Sequence, residues 1–343
     1  MILRKRNELK SRRLIKKNNN AKRRRNTRRI RRGGVIKYYN DHDELVDSTH
    51  PLVDNQQYKI FMSNEEHNWV YDGYAKAIVN RRSCRASEAC STNALFVFNG
   101  KGKFVTILPN GGIDVYDGEW VNDKKEGTGE FKNIITGETY EGEWENDKRH
   151  GHGVMKMEGI IYDGEWDNDE PNGHGTMKGP DGRVYDGEWV GVMHGHGTMQ
   201  WPDGRVYDGD WINGKHHGRG TMQWPDGRVY DGDWFDGKHH GRGTMDWLNG
   251  DFYDGEWING KRHGRGTMDW ANRAYKGEWK NDMQDGRGIM KWANGNVYDG
   301  DWFDDKRHGR GTMKNANGKT TYDGRWVNDN KNSNDALFWH FNT

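Results

Sequence analysis

The sequence predicts an all-β fold, an elongated antiparallel meander of about ten β-hairpins that follows a disordered basic tail. A short pattern, Tyr-x-Gly-x-Trp, recurs ten times between Tyr116 and Trp326 at steps of 22 to 24 residues. Apolar and polar residues alternate with a period of two inside each copy, as they do in strands. Glycine contributes 48 of the 343 residues. This content disfavours long helices, because an interior glycine costs about 1 kcal/mol relative to alanine.

The chain begins with a basic segment. Residues 1–32 contain 16 Lys and Arg and one acid, Glu8, so their formal charge is +15 and the rest of the chain carries −14. Such a segment cannot bury a core, and we expect it to be disordered. It is a candidate for non-specific nucleic-acid binding, nuclear localisation, docking on an anionic membrane, or simple solubilisation. Its candidate polyanion-binding residues are Lys22, Arg23, Arg24, Arg25, Arg28, Arg29, Arg31 and Arg32.

Two stretches precede the regular repeats. Residues 33–98 match no motif and stay unassigned, as an N-terminal region or a small cap. Residues 99–115 resemble a degenerate first half-unit, in which Asn99-Gly-Lys-Gly102 stands for a Gly-x-Gly motif and Phe104–Leu108 is a predicted strand. The predicted repeat array therefore covers residues 99–326.

Each repeat is predicted to be a β-hairpin. In Tyr207-Asp-Gly-Asp-Trp211, the aromatic residues and the glycine share one face of a strand, and the two acids share the other. Another strand-like run, Thr198–Trp201, precedes it, and Pro202-Asp-Gly204 between them is a strong turn signal. The connection to the next unit, residues 213–220, is also rich in turn residues, and we expect a loop there.

Glycines have two predicted roles in this array. The central glycine leaves a slot across which aromatic rings from neighbouring strands can lie. The Gly-x-Gly motif that follows supplies positive φ where the chain re-enters the sheet. The clearest signature residues are Tyr207, Gly209, Trp211, Gly218, Gly220, Tyr230, Gly232, Trp234, Gly241, Gly243, Tyr253, Gly255 and Trp257.

This pattern resembles the MORN repeat family (membrane occupation and recognition nexus), most closely in residues 207–224, 230–247 and 253–270. The tenth copy departs from it, with Arg325 and no glycine pair, and the eighth has Lys276 where the others have an acid. The resemblance implies a hairpin array that serves as a scaffold, as a protein-binding or dimerising module, or as a phospholipid-contacting module. In some multidomain members such arrays accompany a catalytic domain.

Three sets of polar residues are candidates for chemistry. Paired acids such as Asp208 and Asp210 could hold a cation or transfer a proton, but they recur in nearly every unit, which favours a solvated polar face. Histidine pairs could bind zinc or nickel, or could be polar turn residues. These are His216, His217, His239 and His240, with His263 and His308 in equivalent loops.

The third set consists of bases in the same loops. A regular meander would project them from a single edge, where they would meet anionic lipid or an acidic protein, or would balance nearby acids. They are Lys215, Arg219, Lys238, Arg242, Lys261, Arg262, Arg265, Lys306, Arg307 and Arg310.

The C-terminal segment, residues 327–343, contains the apolar run Ala336–Trp339. We expect it to cap the end of the array, because open ends of repeat proteins need covering. The alternative is a partner contact, through which the chain would self-associate.

Taken as a whole, the sequence indicates a non-enzymatic scaffold. It lacks Walker, kinase and Gly-x-Ser-x-Gly motifs, and no cofactor, metal site or small-molecule substrate is predicted. The expected partners are proteins of unknown identity, with an anionic phospholipid membrane and non-specific nucleic acid as alternatives. Two cysteines, short apolar runs and the lack of a secretory signal predict an intracellular protein, cytoplasmic or nuclear, without a transmembrane segment.

Overall fold

The computed structural model describes residues 35–39, 57–64, 69–80, 93–108 and 111–332. These residues form 24 β-strands and no helix. They separate into two compact units, the first ending at Pro180 and the second beginning at Asp181. The predicted all-β class is therefore confirmed. The predicted basic tail and residues 333–343 of the predicted cap lie outside the described residues.

The first unit is an antiparallel meander in which every strand pairs with the next along the chain. Its strands are β1 Val35–Tyr39, β2 Gln57–Asn64, β3 Trp69–Asn80, β4 Asn93–Ile107, β5 Ile113–Val121, β6 Lys124–Asn133, β7 Thr139–Glu145, β8 Lys148–Met157, β9 Ile160–Asp167 and β10 Glu170–Lys178. In β3, Tyr71 is fully buried and Gly73 lies opposite Gly102 of β4, so this pair repeats the register of the later hairpins.

The second unit is also an antiparallel meander of consecutive strands. Its strands are β11 Val184–Val190, β12 Val192–Gln200, β13 Val206–Ile212, β14 Lys215–Gln223, β15 Val229–Phe235, β16 Lys238–Asp246, β17 Phe252–Ile258, β18 Lys261–Trp270, β19 Arg273–Lys280, β20 Met283–Trp292, β21 Val297–Phe303, β22 Lys306–Lys314, β23 Thr320–Val327 and β24 Asn330–Lys331.

Two-residue turns follow most of the strands that carry the tryptophan of the Tyr-x-Gly-x-Trp pattern. In the β13–β14 turn, Asn213 and Gly214 have φ angles of 51° and 74°. Positive φ at both central residues is the type I′ turn, which matches the twist of paired strands and favours Asn and Gly. The expected loop over residues 213–220 is therefore wrong, because only two residues turn and β14 begins at Lys215.

Three-residue turns join the other ends of most strands in the second unit. Between β12 and β13, the Gly204 N–H donates to the Trp201 carbonyl oxygen at 2.9 Å, and the Trp201 N–H donates to the Arg205 carbonyl oxygen at 2.9 Å. Gly204 has a φ of 90°. This is the hairpin turn that a type I turn forms with a glycine bulge, as Pro202-Asp-Gly204 predicts.

A bulge interrupts the register where each Gly-x-Gly motif pairs with the preceding strand. Asp210 on β13 lies opposite His217 on β14, and Gly218 and Arg219 are the extra residues. Gly218 has a φ of 54°, the positive value that the sequence predicts for this motif. The bulge brings the Asp210 carboxylate over β14, where Oδ2 accepts a hydrogen bond of 3.0 Å from the Arg219 N–H. This acid is therefore part of the backbone hydrogen bonding as well as of a polar surface.

The buried side chains are mostly aromatic. Tyr207 is fully buried and Trp211 is 3 % exposed, and most equivalent residues in the described copies are similarly covered. Methionines such as Met222 lie opposite the tyrosines and complete the layer. Because side chains alternate along a strand, the acids and threonines point to the opposite side. Each unit thus has an aromatic face and a polar face.

Candidate binding surface

Most tyrosines of the aromatic face pack edge to face between two tryptophans. The ring centroids of Tyr207 and Trp211 are 5.1 Å apart with planes at 88°, and those of Tyr207 and Trp234 of the next copy are 5.3 Å apart at 88°. Such pairs contribute about 0.5–1.5 kcal/mol each beyond the burial of their area. The Trp211 indole N–H donates to the Gly197 carbonyl oxygen at 2.8 Å. The ladder of rings therefore ties each hairpin to its neighbours.

The tyrosine folds back over the glycines of its own hairpin. The Tyr207 hydroxyl donates to the Asp210 carbonyl oxygen at 3.0 Å and lies against Gly209 and Gly220. A Cβ on either glycine would overlap this hydroxyl. The predicted slot is present, but the prediction that rings from neighbouring strands lie across it is wrong, because the tyrosine of the same hairpin fills it. Gly220 is needed for this close approach rather than for positive φ.

One further position covers the aromatic face, usually nine residues after the tyrosine. We call it the cap position, and its residues are Lys125, Arg149, Pro171, Met193, His216, His239, Arg262, Gln284, Arg307 and Lys331. The Arg262 guanidinium carbon lies 4.4 Å from the Trp279 ring centroid and 5.8 Å from that of Tyr253. Arg149 and Arg307 are placed in the same way. Cation–π attraction therefore lets a charged residue cover an aromatic core.

Histidines occupy the cap position in two adjacent copies. His216 stacks on Tyr207 with ring centroids 3.9 Å apart, and His239 stacks on Tyr230 at 3.8 Å. Burial against the rings, with a smaller contribution from nearby cations, lowers the pKa of both imidazoles to about 4. Interpreting these two residues as polar turn residues is wrong, since they lie in strands and cover the core. The fixed distance from the tyrosine was the signal in the sequence that could have revealed this position.

The type of residue at the cap position corresponds to the type of residue in the turn of the next repeat copy. Arg262 donates from its backbone N–H and from Nε to Asp282 Oδ1 at 3.0 and 3.3 Å, and from Nη2 to the Asp282 carbonyl oxygen at 3.0 Å. The pairs Arg149–Asp169 and Arg307–Asp329 repeat these bonds, whereas Gly237 and Gly260 hold the turn position after the two histidine caps. A cationic cap is thus paired with a carboxylate, and a neutral imidazole is not.

Two rows of side chains run across the strands on the polar face of the second unit. The acid–threonine row consists of Asp208, Thr221, Asp231, Thr244, Asp254, Thr267, Lys276, Ile289, Asp299, Thr312 and Asp323. The alternating-charge row consists of Asp210, Arg219, Asp233, Arg242, Glu256, Arg265, Glu278, Arg287, Asp301 and Arg310. Most of these side chains are exposed or half-buried.

Six of the ten bases that were expected at one edge lie instead on the two faces, whereas four lysines lie at the hairpin ends, namely Lys215, Lys238, Lys261 and Lys306. Of the six, four belong to the alternating-charge row and two cap the aromatic face, and Lys215 forms an ion pair with Asp236 of the next turn. The four are Arg219, Arg242, Arg265 and Arg310, and the two are Arg262 and Arg307. The single-edge prediction is wrong for the six arginines, because the Gly-x-Gly motif lies inside a strand, where successive side chains point to opposite faces.

The polar face also has grooves. In the first unit, Glu130 on β6 lies directly opposite Asp117 on β5 and Glu141 on β7, and the three line a groove of about 430 Å³. Lys103 pairs with Asp117 at 3.0 Å. Like charges directly opposite each other destabilise a sheet. A second groove, of about 1170 Å³, lies over β16–β20 and is lined by both charges.

The predicted site residues fall into two classes by location. All thirteen signature residues lie in β13–β17, where they build the aromatic face and its bulges. The candidate polyanion-binding residues 22–32 lie outside the described residues. In the ranges that the structure describes, no three His, Cys, Asp or Glu side chains converge as metal ligands would. None of the described segments is a helix with the length and hydrophobicity of a membrane span.

One comparison with known protein families agrees with this architecture. The MORN repeat matches nine times, at residues 116–132, 140–157, 162–182, 185–204, 207–227, 230–252, 253–274, 275–297 and 298–320. Among solved structures, the chain is similar to the SAS-4 (dCPAP) TCP domain in complex with a proline-rich motif of Ana2 (dSTIL) of Drosophila melanogaster, with 11% identity and a TM-score of 0.29 over 43% of this chain and 81% of that chain. No curated protein matches the chain. The nine matches coincide with the hairpins described above and cover more than half of the sequence, so the chain belongs to the MORN repeat family.

Proposed function

We propose that this protein is a non-enzymatic scaffold whose repeat array binds protein partners through the polar face. The observation that supports this function is that the two faces differ in burial and in charge. The aromatic rings are packed against one another under caps that are mostly half-buried, whereas the polar face presents exposed charges in two rows. Neighbouring strands are about 4.8 Å apart, so the rows offer a regular surface along which an extended partner can lie.

Charge reversal on the polar face tests this function. In the full-length chain, Asp208, Asp231 and Asp254 would be changed together to Lys, and bound proteins would be captured from a cell lysate and quantified. We expect at least a tenfold loss of the main partners. The matched control reverses three turn acids, Asp203, Asp226 and Asp251, which changes the net charge equally. Equal capture by both variants would contradict binding through the polar face.

A second candidate function is attachment to an anionic membrane, and a specific feature favours it. At the ends of the hairpins in the second unit, apolar side chains that are 40–54 % exposed lie opposite lysines. The pairs are Ile212–Lys215, Phe235–Lys238, Ile258–Lys261 and Phe303–Lys306. Apolar residues that enter the headgroup region beside lysines that attract anionic lipid are typical of peripheral membrane surfaces.

Liposome flotation separates the two functions. The double substitution Phe235→Asp and Phe303→Asp should abolish flotation with vesicles that contain phosphatidylserine if the hairpin ends bind lipid. Neutral vesicles and a chain without residues 1–32 are the controls, because the basic tail by itself can bind an anionic surface. Flotation that depends only on residues 1–32 would show that the repeat array does not attach the protein to the membrane.

Self-association through the C-terminal end is a further part of the scaffold hypothesis. Open ends of repeat arrays expose strand edges that can pair with another chain. Sedimentation analysis over a range of concentrations should show a dimer that disappears when residues 333–343 are deleted. A monomer at high micromolar concentration would exclude it.

A further inference from the structure

The acid–threonine row changes sign at one strand. Asp occupies this position on β13, β15, β17, β21 and β23, whereas β19 carries Lys276. Lys276 lies opposite Thr267 of β18, two residues along from Arg265. Diagonal neighbours across a strand pair are close enough for long side chains to interact. Two cations are therefore juxtaposed at a place where the repeat otherwise pairs a cation with an acid.

Two of the equivalent arginines, Arg219 and Arg287, show which contacts are missing at this place. The Arg219 guanidinium contacts Asp231 and Asp233 of the next strand, both at 3.6 Å, and that of Arg287 contacts Asp299 at 3.0 Å and Asp301 at 3.6 Å. Arg265 faces Lys276 and Glu278 in the same relation. In the described part of the chain, neither the Arg265 nor the Lys276 side chain forms an ion pair, and both are exposed.

The surface is also more open at this place. Gly255, Gly266 and Gly277 form the floor of the groove over β16–β20 and are half-buried. The corresponding glycines of the neighbouring hairpins are fully buried, namely Gly209, Gly220, Gly232, Gly243, Gly288, Gly300 and Gly311. Their Cβ positions point to the aromatic face, so what they expose on the polar face is backbone. The groove has a volume of about 1170 Å³.

The charge of the groove indicates the kind of anion that fits. Five cationic and four carboxylate side chains line it, so its formal charge is +1. This charge matches a single carboxylate better than a phosphate dianion, which the four acids would repel. The same row provides the chemical precedent, because Arg219 and Arg287 in it are held by carboxylates.

We propose that the groove at Lys276 and Arg265 binds a carboxylate side chain from an acidic, extended segment of a protein partner. The Arg265 guanidinium and the Lys276 ammonium would both donate hydrogen bonds to the incoming Asp or Glu. The partner carboxylate would thus replace the Asp that the equivalent strands carry at this position and that β19 lacks. This inference deepens the proposed scaffold function and rests on it. It identifies one binding point on the polar face and the chemistry of the partner.

A site-resolved crosslinking experiment tests the proposal on the full-length chain. A probe peptide of alternating Gly and Glu would be coupled to lysines with a zero-length carbodiimide reagent, and each lysine would be quantified by mass spectrometry. We expect the coupling yield at Lys276 to exceed that at Lys314, an exposed lysine outside the groove, by at least tenfold. Arg265→Gln should reduce the yield at Lys276 severalfold and leave that at Lys314 unchanged.

Binding measurements complete the test. Lys276→Asp, which restores the residue type of the other copies, should weaken binding of the fluorescent peptide at least threefold more than Lys314→Asp. Both variants keep residues 1–32, so contacts of the basic tail cancel in the comparison. Equal affinities, or equal coupling at the two lysines, would overturn the proposal. A phosphoserine peptide or anionic vesicles that protect Lys276 from coupling more strongly than an acidic peptide does would also overturn it.

The two proposals can fail separately. If partner capture depends on the polar face but the Glu peptide does not couple preferentially at Lys276, the scaffold function is supported and the carboxylate site is not. If the peptide couples at Lys276 but reversal of the polar-face acids leaves partner capture unchanged, the site binds acidic peptide but the proposed scaffold surface is wrong.

Discussion

The side chain at each cap position determines how the aromatic core is shielded from water. The same backbone position accepts a cation over a tryptophan ring, as in Arg262, or a neutral imidazole stacked on a tyrosine, as in His216. The guanidinium of Arg262 is paired there with a carboxylate that the next turn supplies. The imidazole has no such partner and loses its proton instead, which makes two copies of the repeat sensitive to acid.

Acid should destabilise the second unit through His216 and His239. The folded pKa of each is about 4, whereas an unperturbed imidazole has a pKa of 6.5, so the unfolded chain binds more protons between these values. The free energy of unfolding should therefore fall as the pH drops from 6.5 towards 4, by about 2 kcal/mol per histidine at pH 5.

Thermal denaturation at pH 7.5 and pH 5 measures this effect. Changing both histidines to Gln, the residue that Gln284 places at the same position, should reduce the loss of melting temperature between the two pH values. Other titrating groups are common to both proteins and cancel in the comparison. An unchanged pH dependence would show that the buried imidazoles do not control acid stability.

Close packing of glycine against tyrosine should make Gly220→Ala costly. The new Cβ would overlap the Tyr207 hydroxyl, and overpacking of this kind costs about 1–3 kcal/mol. Gly237→Ala is the control, because that glycine has a φ of 78° and no atom near its Cβ position, so only backbone strain of about 1–2 kcal/mol is expected. Urea denaturation followed by tryptophan fluorescence compares them. A smaller effect at Gly220 would contradict the packing explanation.

At the scale of the hairpin, the bulge and the type I′ turn act together. The bulge adds residues to the strand that carries Gly-x-Gly, and an acid of the preceding strand accepts a hydrogen bond from the displaced backbone N–H, as Asp233 does from Arg242 at 2.8 Å. The turn places an Asn, Asp or Gly with positive φ next to the preceding cap residue. Each hairpin is thereby fastened to its neighbour at two points besides the strand ladder.

The link between cap and turn should behave as a coupled pair. Arg262→His alone leaves Asp282 without its guanidinium, and Asp282→Gly alone leaves a cation over the aromatic rings without a carboxylate. The double substitution reproduces the combination at His239 and Gly260, so we expect a favourable coupling energy of about 0.5–2 kcal/mol in a double-mutant cycle. Strictly additive effects on the free energy of unfolding would mean that the two positions are independent.

For the whole molecule, the separation of charge is the main feature. Residues 1–32 carry +15, whereas the rest of the chain carries −14. Repulsion from the acidic remainder should keep phosphates away from the repeats, and a polyanion should meet the tail first. The tail and the array therefore have different expected partners.

We predict that residues 1–32 bind nucleic acid by charge alone. If about 8 of the bases contact phosphates, the logarithm of the binding constant should fall with the logarithm of salt concentration at a slope near −7. Electrophoretic mobility shifts of the full-length chain, of a chain that lacks the tail and of the tail peptide measure this slope. Sequence-selective binding, or tight binding by the chain without its tail, would contradict the prediction.

The sequence by itself determined the period of the repeat, the all-β class, the alternation of aromatic and polar residues, and the turn at Pro202–Gly204. These properties are local, because turn chemistry and strand alternation depend on residues a few positions apart. The odd Lys276 was also visible in the sequence, as a departure from a repeated pattern.

Only the tertiary structure decided which residues meet across strands. The bulge at Gly218 and Arg219 lies inside one continuous strand, β14, and strand alternation places His216 and Arg219 on opposite faces. The groove at Lys276 likewise depends on its position opposite Thr267 and near Arg265. Register between strands is set by interstrand hydrogen bonds and by close packing of Tyr on Gly, and a one-residue shift reverses the face of every side chain that follows.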